Sequence, residues 1–538
     1  MTFQSFFSKR SELALNAFGA ASLLFLCALL FKYLAFQSRQ NFTSDDAVLN
    51  LLAREVYQHG RLFPENWVTA NGDLMLPSGT LIIAPLLHFF PNSFELHAVV
   101  SVILTGVFLF SVHWTLKTHS HNSYFLPMAL FASGISFKYT QMVLLQTTYF
   151  WWVCAFFLTI AVFAKNRFTR PRSREILLAV LISAAVSLSN PSRSMLMYAL
   201  PALAFLAAYH WRIPFTAPTL APAAWRIGAV LIGWLIASAI YYNSFRFGFS
   251  KTVDHASALQ LANIKQIHSN FSIFLNGWVE YLGLDPAAFS GTALAGLYLA
   301  ISGSLVVLFS VAAFIWWIGE DSTEDTQFDF YRAMGIAFIA SFIPVIVLYV
   351  FFVPLAVNPW TTRYFTTPVS ILFLVSSICI GNWFSNKRRL DLLLIAFLLT
   401  CICWISYIRY KVQAAASITE TNTIRVAREL IKLNTSKGYA TYWNASSVTI
   451  LTSEAVKVRP IEIASNTFRP YPVMISHDWY RQEAGPSFLL LTDGEATAFR
   501  AFIEGQFGRA KKIIPSNGYQ IWIYERDLAE KMSKLQSH

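Results

Sequence analysis

Residues 14–36 read ALNAFGAASLLFLCALLFKYLAF and carry a single charge, Lys32. A helix needs about 20 apolar residues to cross the hydrocarbon core of a bilayer, so this stretch decides the class of fold. It runs on through Phe36 with no small-residue cleavage pattern, which reads as a retained span and not a removable signal. The same apolar density recurs at 94–116, 122–140, 144–164, 175–190, 195–210, 226–245, 292–318, 332–354, 364–385 and 390–408. Eleven spans are therefore expected, with 122–164 and 175–210 read as hairpins of short spans. The apolar segment 76–90 is short and holds Pro77 and Pro85. It reads as an interfacial or re-entrant helix.

Composition agrees. Of 538 residues, 55% are hydrophobic and 13% charged, about half the charged share of a soluble domain. The 47 Phe, 22 Tyr and 16 Trp suit a bilayer and its interfaces. The net charge of +12 would suggest nucleic acid in a soluble chain. Here it gathers in short loops, SKR at 8–10, KNRFTRPRSR at 165–174 and NKRR at 386–389, so membrane orientation explains it and no nucleic-acid partner is expected. Eleven spans put these clusters and the N-terminus in the cytoplasm and the C-terminus outside. The acidic loop 319–330 falls on the cytoplasmic side as well, which the rule tolerates because acids weigh little in it.

All five cysteines, Cys27, Cys154, Cys379, Cys401 and Cys403, lie in apolar segments. Neither disulfides nor a zinc site is expected. Cys401 and Cys403 would point about 200° apart on a helix, too far for joint ligation. The last 125 or so residues change character. TNTIRVARELIKL (421–433) has helical periodicity, and 438–463 reads as strands with turns. SFLLLTDG is a buried strand ending in a turn, EATAFRAFIEGQFG an amphipathic helix, and GYQIWIYERD a closing strand. The expected architecture is a polytopic α-helical membrane module, residues 1–410, with external loops 37–93 and 246–291. A small extracytoplasmic α/β domain, 411–538, follows it. That tail has no Gly-rich phosphate loop, HExxH or GxSxG.

Polar residues predicted to share the external face are the candidates for chemistry. Asp45 and Asp46 follow the first span, ahead of a segment whose Val48, Leu49, Leu51, Leu52, Val56 and Tyr57 form one apolar face, as in an interfacial helix. Ser44 and Asp45 stand where an N-cap would, and Asp45 or Asp46 could cap the helix, where an acid is stabilising, without any further role. One acid suffices for capping, which leaves the second for proton transfer or cation binding. Arg363 and Tyr364 open a late span, and a guanidinium suits phosphate because its planar fork binds two oxygens. Snorkelling to the interface is the plainer reading. Arg193 and Lys138 are single cations at span ends, and Asn190, before Pro191, suits a cap or a kink. The loop 246–291 offers Asp254, His255, His268, Glu280 and Asp285 among aromatics, as substrate contacts, metal ligands or ordinary loop residues.

The acidic pair SDD (44–46) in the first external loop after span one, followed by an interfacial helix, resembles the C-type glycosyltransferase superfamily (GT-C). That group includes protein O-mannosyltransferases, the lipid A aminoarabinose transferase and mycobacterial arabinosyltransferases. Arg363 in a polar turn resembles a lipid-phosphate contact of such enzymes, and GYATYWNASSVTILT resembles an exported tail of some bacterial members. The resemblance implies a transferase of the bacterial inner membrane that uses a polyprenyl-phosphate-sugar donor. Its acceptor would be a hydroxyl of an envelope glycan or glycolipid, such as O-antigen, lipopolysaccharide or another cell-wall polysaccharide. It implies inversion at the anomeric carbon, with Asp45 as general base. Asp46 would orient the acceptor, hold a divalent cation or stabilise developing positive charge. Arg363, with Lys138 or Arg193, would hold the donor phosphate. Two other classes remain open: a transporter or flippase of lipid-linked saccharides, and a glycan polymerase or ligase.

Overall fold

A computed structural model describes residues 3–119, 124–164, 169–210, 217–248, 251–253, 260–283, 326–352, 363–383, 389–418, 421–433, 435–464 and 467–530. Among the described residues six helices are long and apolar enough to cross a membrane: Leu13–Asn41, Phe94–Thr118, Ala221–Arg246, Phe330–Phe351, Arg363–Ile380 and Leu392–Lys411. A seventh crossing is available if Phe125–Ala132 and Phe137–Leu145, bent by 73° at their junction, make one span. This is the helix set of a multi-pass membrane protein.

Eleven spans are not reached among the described residues. Expected span 122–140 is the bent pair, whose second limb runs on into the expected span 144–164. The helices Phe150–Ala164 and Ser173–Ser187 have 15 residues each, about 22 Å of rise against a core of about 30 Å. Expected span 195–210 divides into a π-helical turn, Met195–Ala199, and the helix Leu200–His210. Apolar composition registers none of these breaks. The expected span 292–318 lies outside the described residues.

The chain divides into two compact units. The first comprises Met1–Tyr33, Val102–Tyr241 and Ala256–Val412. Small residues let its helices approach closely. A Cβ on Gly233 would lie 2.4 Å from the Val180 carbonyl, and Ser183 Oγ donates to Val230 O at 2.7 Å. The bend in the paired helix also has a local cause. Gly134 and Ile135 have φ of +75° and +53°, and a Cβ at 134 would meet Thr140 Oγ1 at 2.3 Å, so only glycine fits. The break strands carbonyls that lipid cannot satisfy. Arg409, 4% exposed, donates from Nη1 to Ser133 O at 3.0 Å and from Nη2 to Ile135 O at 2.8 Å. Tyr410 Oη adds a bond to Ser133 O at 3.2 Å.

The second unit comprises Leu34–Ser101, Tyr242–His255 and Gln413–His538. Each of its three segments gives a strand to one small sheet: β1 (Trp67–Ala70) lies between β2 (Lys251–Val253), which is parallel to it, and β6 (Ile475–Ser476), which is antiparallel. The tail thus shares its unit with the loop after the first span. A six-stranded sheet has the order β5-β4-β3-β7-β9-β8. Its strands are β3 (Lys437–Thr441), β4 (Lys457–Ala464), β5 (Thr467–Pro470), β7 (Ser487–Thr492), β8 (Lys512–Ser516) and β9 (Tyr519–Tyr524). The central β4, β3 and β7 are parallel and both edges are antiparallel.

Two expectations change here. Within 438–463, Tyr442–Leu451 is a helix and not a strand. Parallel β3 and β4 need a crossover between them, and this helix supplies it. The segment after Asp46 is the helix Ser44–His59, but it is no half-exposed interfacial helix. Eleven of its residues are buried, because Thr80–Leu86 and Tyr442–Leu451 pack along it.

Replacing Arg409 with Leu leaves Ile135 O without its donor, and a buried unsatisfied carbonyl costs about 1–3 kcal/mol. The Arg409→Leu protein in detergent is expected to melt several degrees lower than wild type. Unchanged melting would refute the bracing role of the guanidinium.

Candidate functional site

Thr43, extended at φ −100° and ψ 174°, is the N-cap of Ser44–His59, one residue earlier than expected. Asp46 is therefore the third helical residue, and its carboxylate turns back to the cap. Oδ2 accepts from Thr43 N at 2.7 Å and from Thr43 Oγ1 at 2.8 Å, the carboxylate limb of a capping box. Asp46 is 0% exposed, and its Oδ1 is buried without a hydrogen-bond partner. Burial pushes the carboxyl up to about 7. The two bonds from Thr43 oppose that rise and the neighbouring Asp45 charge adds to it.

Asp45 has the other fate. Successive helical residues point about 100° apart, so burying Asp46 turns its neighbour outward, and Asp45 is half-buried. Its Oδ1 accepts from Tyr442 Oη at 2.7 Å. Among the described residues nothing hydrogen-bonds Oδ2. Tyr442 opens the crossover helix and stacks on Tyr471, with ring centroids 4.8 Å apart. Burial, and then the Asp45 charge, push the Tyr442 phenol well above its ordinary range, so it stays protonated and remains the donor. Tyr471 is raised for the same two reasons, with Glu462 adding to them.

One turn further on, a buried polar layer fixes the helix. His97 Nδ1 lies 2.7 Å from Asn50 Oδ1, and Asn50 Nδ2 donates to Asn92 Oδ1 at 2.9 Å. Asn92 Nδ2 in turn donates to Asn50 O at 3.2 Å and to Glu454 Oε1 at 2.5 Å. Arg54 approaches Glu454 Oε2 at 3.5 Å. Each added bond narrows the orientation available to the Asp45 end.

The first unit holds a second cluster. Arg363 begins a 3-10 turn at 363–365. Its Nη1 donates to Tyr149 Oη at 2.8 Å, and the guanidinium sits 5.6 Å from that ring's centroid. Arg363 O accepts from Thr366 Oγ1 at 2.6 Å, and Thr366 Oγ1 is 2.6 Å from Tyr281 Oη. Next to Tyr281, Glu280 pairs with Lys138 at 3.4 Å. Next to Lys138, Tyr139 Oη lies 2.6 Å from Ser370 Oγ, which donates to Thr366 O. The Arg363 carbonyl, Thr366, Tyr281, Ser370 and Tyr139 thus form one hydrogen-bonded chain, and the Lys138–Glu280 pair is carried by the sequence neighbours of its two tyrosines. Tyr364 is buried beside Arg363.

The other candidates have plainer places. Asn190 Oδ1 caps the short helix Pro191–Ser194 by accepting from Arg193 N at 3.0 Å. The Arg193 side chain is half-buried and His268 is exposed on the helix Ile264–Tyr281. Asp254, His255 and Asp285 lie outside the described residues. Among the described residues no three His, Cys, Asp or Glu side chains are grouped to hold a metal. Sequence reasoning missed Tyr442, Tyr471 and Tyr149. Nothing in 22 tyrosines marks those that will meet a carboxylate or a guanidinium from a distant segment.

No protein-family model matches the chain, and no curated protein matches it.

The Asp46 carboxyl yields a pH prediction. Its folded value, about 7, lies above the ordinary 3.8, so the folded state binds this proton more tightly than the unfolded chain does. The resulting stability is present below pH of about 4 and is lost as pH rises through 7, on the order of a few kcal/mol. Wild type should lose melting temperature across that window more steeply than Asp46→Asn. Parallel pH profiles for the two proteins would show that Asp46 does not titrate in this way.

Proposed function

We propose that this protein is a membrane glycosyltransferase. It would move a sugar from a polyprenyl-phosphate donor to an acceptor hydroxyl of an envelope glycan or glycolipid, on the extracytoplasmic face of the bacterial inner membrane. The observation that carries the reading is the division of labour between the paired acids. Asp46 is sealed and committed to the helix cap. Asp45 has one oxygen held by Tyr442 and the other open.

A base in this reaction must reach the hydroxyl whose proton it takes, and Asp45 is the member of the pair that can. As the acceptor oxygen bonds to the anomeric carbon, its proton passes to Asp45 Oδ2. The bond from that carbon to the phosphate oxygen breaks, and the electron pair leaves on the lipid phosphate. Attack from the face opposite the phosphate inverts the centre. A cation would have to hold the departing phosphate, since positive charge stabilises the charge that grows as the bond breaks. Tyr442 would fix the rotamer of Asp45. The sequence resemblance to the GT-C superfamily and the multi-pass helix set both support this assignment. The orientation proposed with it puts the N-terminus in the cytoplasm and the tail outside.

A second reading has one observation in its favour. The broken pair Phe125–Ala132 and Phe137–Leu145 is of the kind that transporters place at a substrate site, which suits a flippase of lipid-linked saccharides. Transporters build such breaks in matching halves, and among the described residues there is one.

Asp45→Asn separates the two. Purified protein in detergent, given a radiolabelled polyprenyl-phosphate sugar and acceptor glycan, should lose about 10²–10⁴-fold in transfer rate, with its melting temperature kept. Asp46→Asn, a change in the cap, should retain far more activity. Wild type that moves lipid-linked sugar between leaflets without transferring it would favour the flippase. Asp45→Asn with near-normal transfer would end the enzymatic assignment of Asp45.

A further inference from the structure

The tail's six-stranded sheet changes direction at β3. From β3 the chain crosses to β4 on one side and returns later to β7 on the other. In an open α/β sheet such a reversal leaves a crevice outside the carboxyl ends of the two strands, and ligands bind there. Here it lies where β3 ends at Thr441 and β7 ends at Thr492. Its floor is polar. Thr441 Oγ1 donates to Glu495 Oε1 at 2.8 Å, Asn444 Nδ2 donates to Thr441 Oγ1 at 3.2 Å, and Tyr519 Oη donates to Asn444 Oδ1 at 3.0 Å. Thr441, Asn444 and Glu495 are half-buried, so solvent reaches the floor.

The helix that leaves β3 opens on the same place. Eight of the ten residues of Tyr442–Leu451 are buried, and the exceptions are consecutive: Trp443, 49% exposed, and Asn444. A lone surface aromatic is ordinary. Trp443 is set apart by its neighbours. Its ring meets Tyr442 edge-on, with centroids 5.2 Å apart and planes at 77°, and Tyr442 Oη is the donor that holds Asp45 Oδ1. The indole therefore stands one aromatic ring away from the carboxylate with the open oxygen. A pyranose presents a face of C–H groups and a rim of hydroxyls. Polarised C–H groups suit the negative face of an indole, and an amide that both donates and accepts suits hydroxyls.

We infer that Trp443 is a stacking platform for a pyranose ring of the acceptor glycan, with Asn444 on its hydroxyl rim, in the crevice between the ends of β3 and β7. This rests on the proposal that a glycan hydroxyl is brought to Asp45, and it names what grips the acceptor. An aromatic platform binds a neutral sugar by its face and leaves the hydroxyls outward, so a hydroxyl of the same ring or of the next can reach Asp45 Oδ2. Trp443 is a specificity residue and takes no part in proton transfer. Its contact is the same before and during the reaction, which lowers the acceptor KM and leaves kcat alone.

The test uses the full chain, grown with 5-fluorotryptophan and held in nanodiscs, with the Trp443 resonance assigned by its absence from Trp443→Phe. Cellotriose, a trisaccharide of flat pyranose rings, should shift that resonance saturably, and glycerol at equal hydroxyl concentration should not. In the transfer assay Trp443→Ala should raise the acceptor KM about tenfold, with kcat within about twofold of wild type and the melting temperature kept. Trp443→Tyr, which keeps a ring face, should recover most of the loss. A resonance that ignores cellotriose, one that a headgroup spin-labelled lipid broadens in its place, or Trp443→Ala with an unchanged KM would each overturn the inference. The fluorine readout needs no turnover. A shifted Trp443 resonance alongside near-normal transfer by Asp45→Asn would therefore keep the platform and end only the assignment of the base.

Discussion

The first turn of a helix leaves backbone N–H groups without partners, and at Ser44–His59 an aspartate turns back to the cap. Asp46 reaches Thr43, and that commitment fixes the rest of the local arrangement. The helix must enter the unit with Asp46 inward, so Asp45, about a third of a turn away, faces outward to Tyr442. The crossover helix that carries Tyr442 is itself required by the parallel pairing of β3 and β4. A capping interaction and a sheet connection, neither concerned with chemistry, thus leave one carboxylate oxygen held and its twin open.

The same accounting of backbone groups governs the helical unit. A membrane-length helix that bends by 73° strands carbonyls, and in lipid these need protein donors. Arg409 meets that need from the end of Leu392–Lys411. Two carbonyls on a buried guanidinium are tolerable because its fixed fork satisfies both at once. The bend in turn starts a new helical limb at Phe137 and sets Lys138 at its beginning, opposite Glu280.

What the sequence disclosed follows from the range of the forces involved. Long apolar runs were legible because partition into lipid depends on composition alone, and Leu13–Asn41 or Phe94–Thr118 follow directly. The tail's strands β7 and β9 and its helix Asp493–Phe507 were legible from their periodicity. Tyr442–Leu451 was not, because its residues suit a strand as well, and only the parallel pairing of β3 with β4 demands a helix. The short helices at 150–164 and 173–187 and the bend at Gly134 were hidden for a related reason: hydropathy measures affinity for lipid and not continuity of the backbone. At the site, the paired acids were legible as a pair. Which of them caps depended on the helix starting at Thr43, and the Tyr442 contact depended on a segment nearly 400 positions away.

A perturbed carboxyl often marks a functional residue, and by that guide Asp46, pushed up to about 7, would outrank its neighbour as the base. Geometry argues the other way. The shift of Asp46 comes first from burial, and the same burial seals Oδ1 from any substrate. A group poised near neutrality cannot take a proton it cannot touch, whereas a half-exposed carboxylate with an open oxygen can. Perturbation at Asp46 is thus the mark of a structural acid whose desolvation its cap bonds only partly offset. Reach, more than acidity, is the ground on which the proposed chemistry is assigned to Asp45.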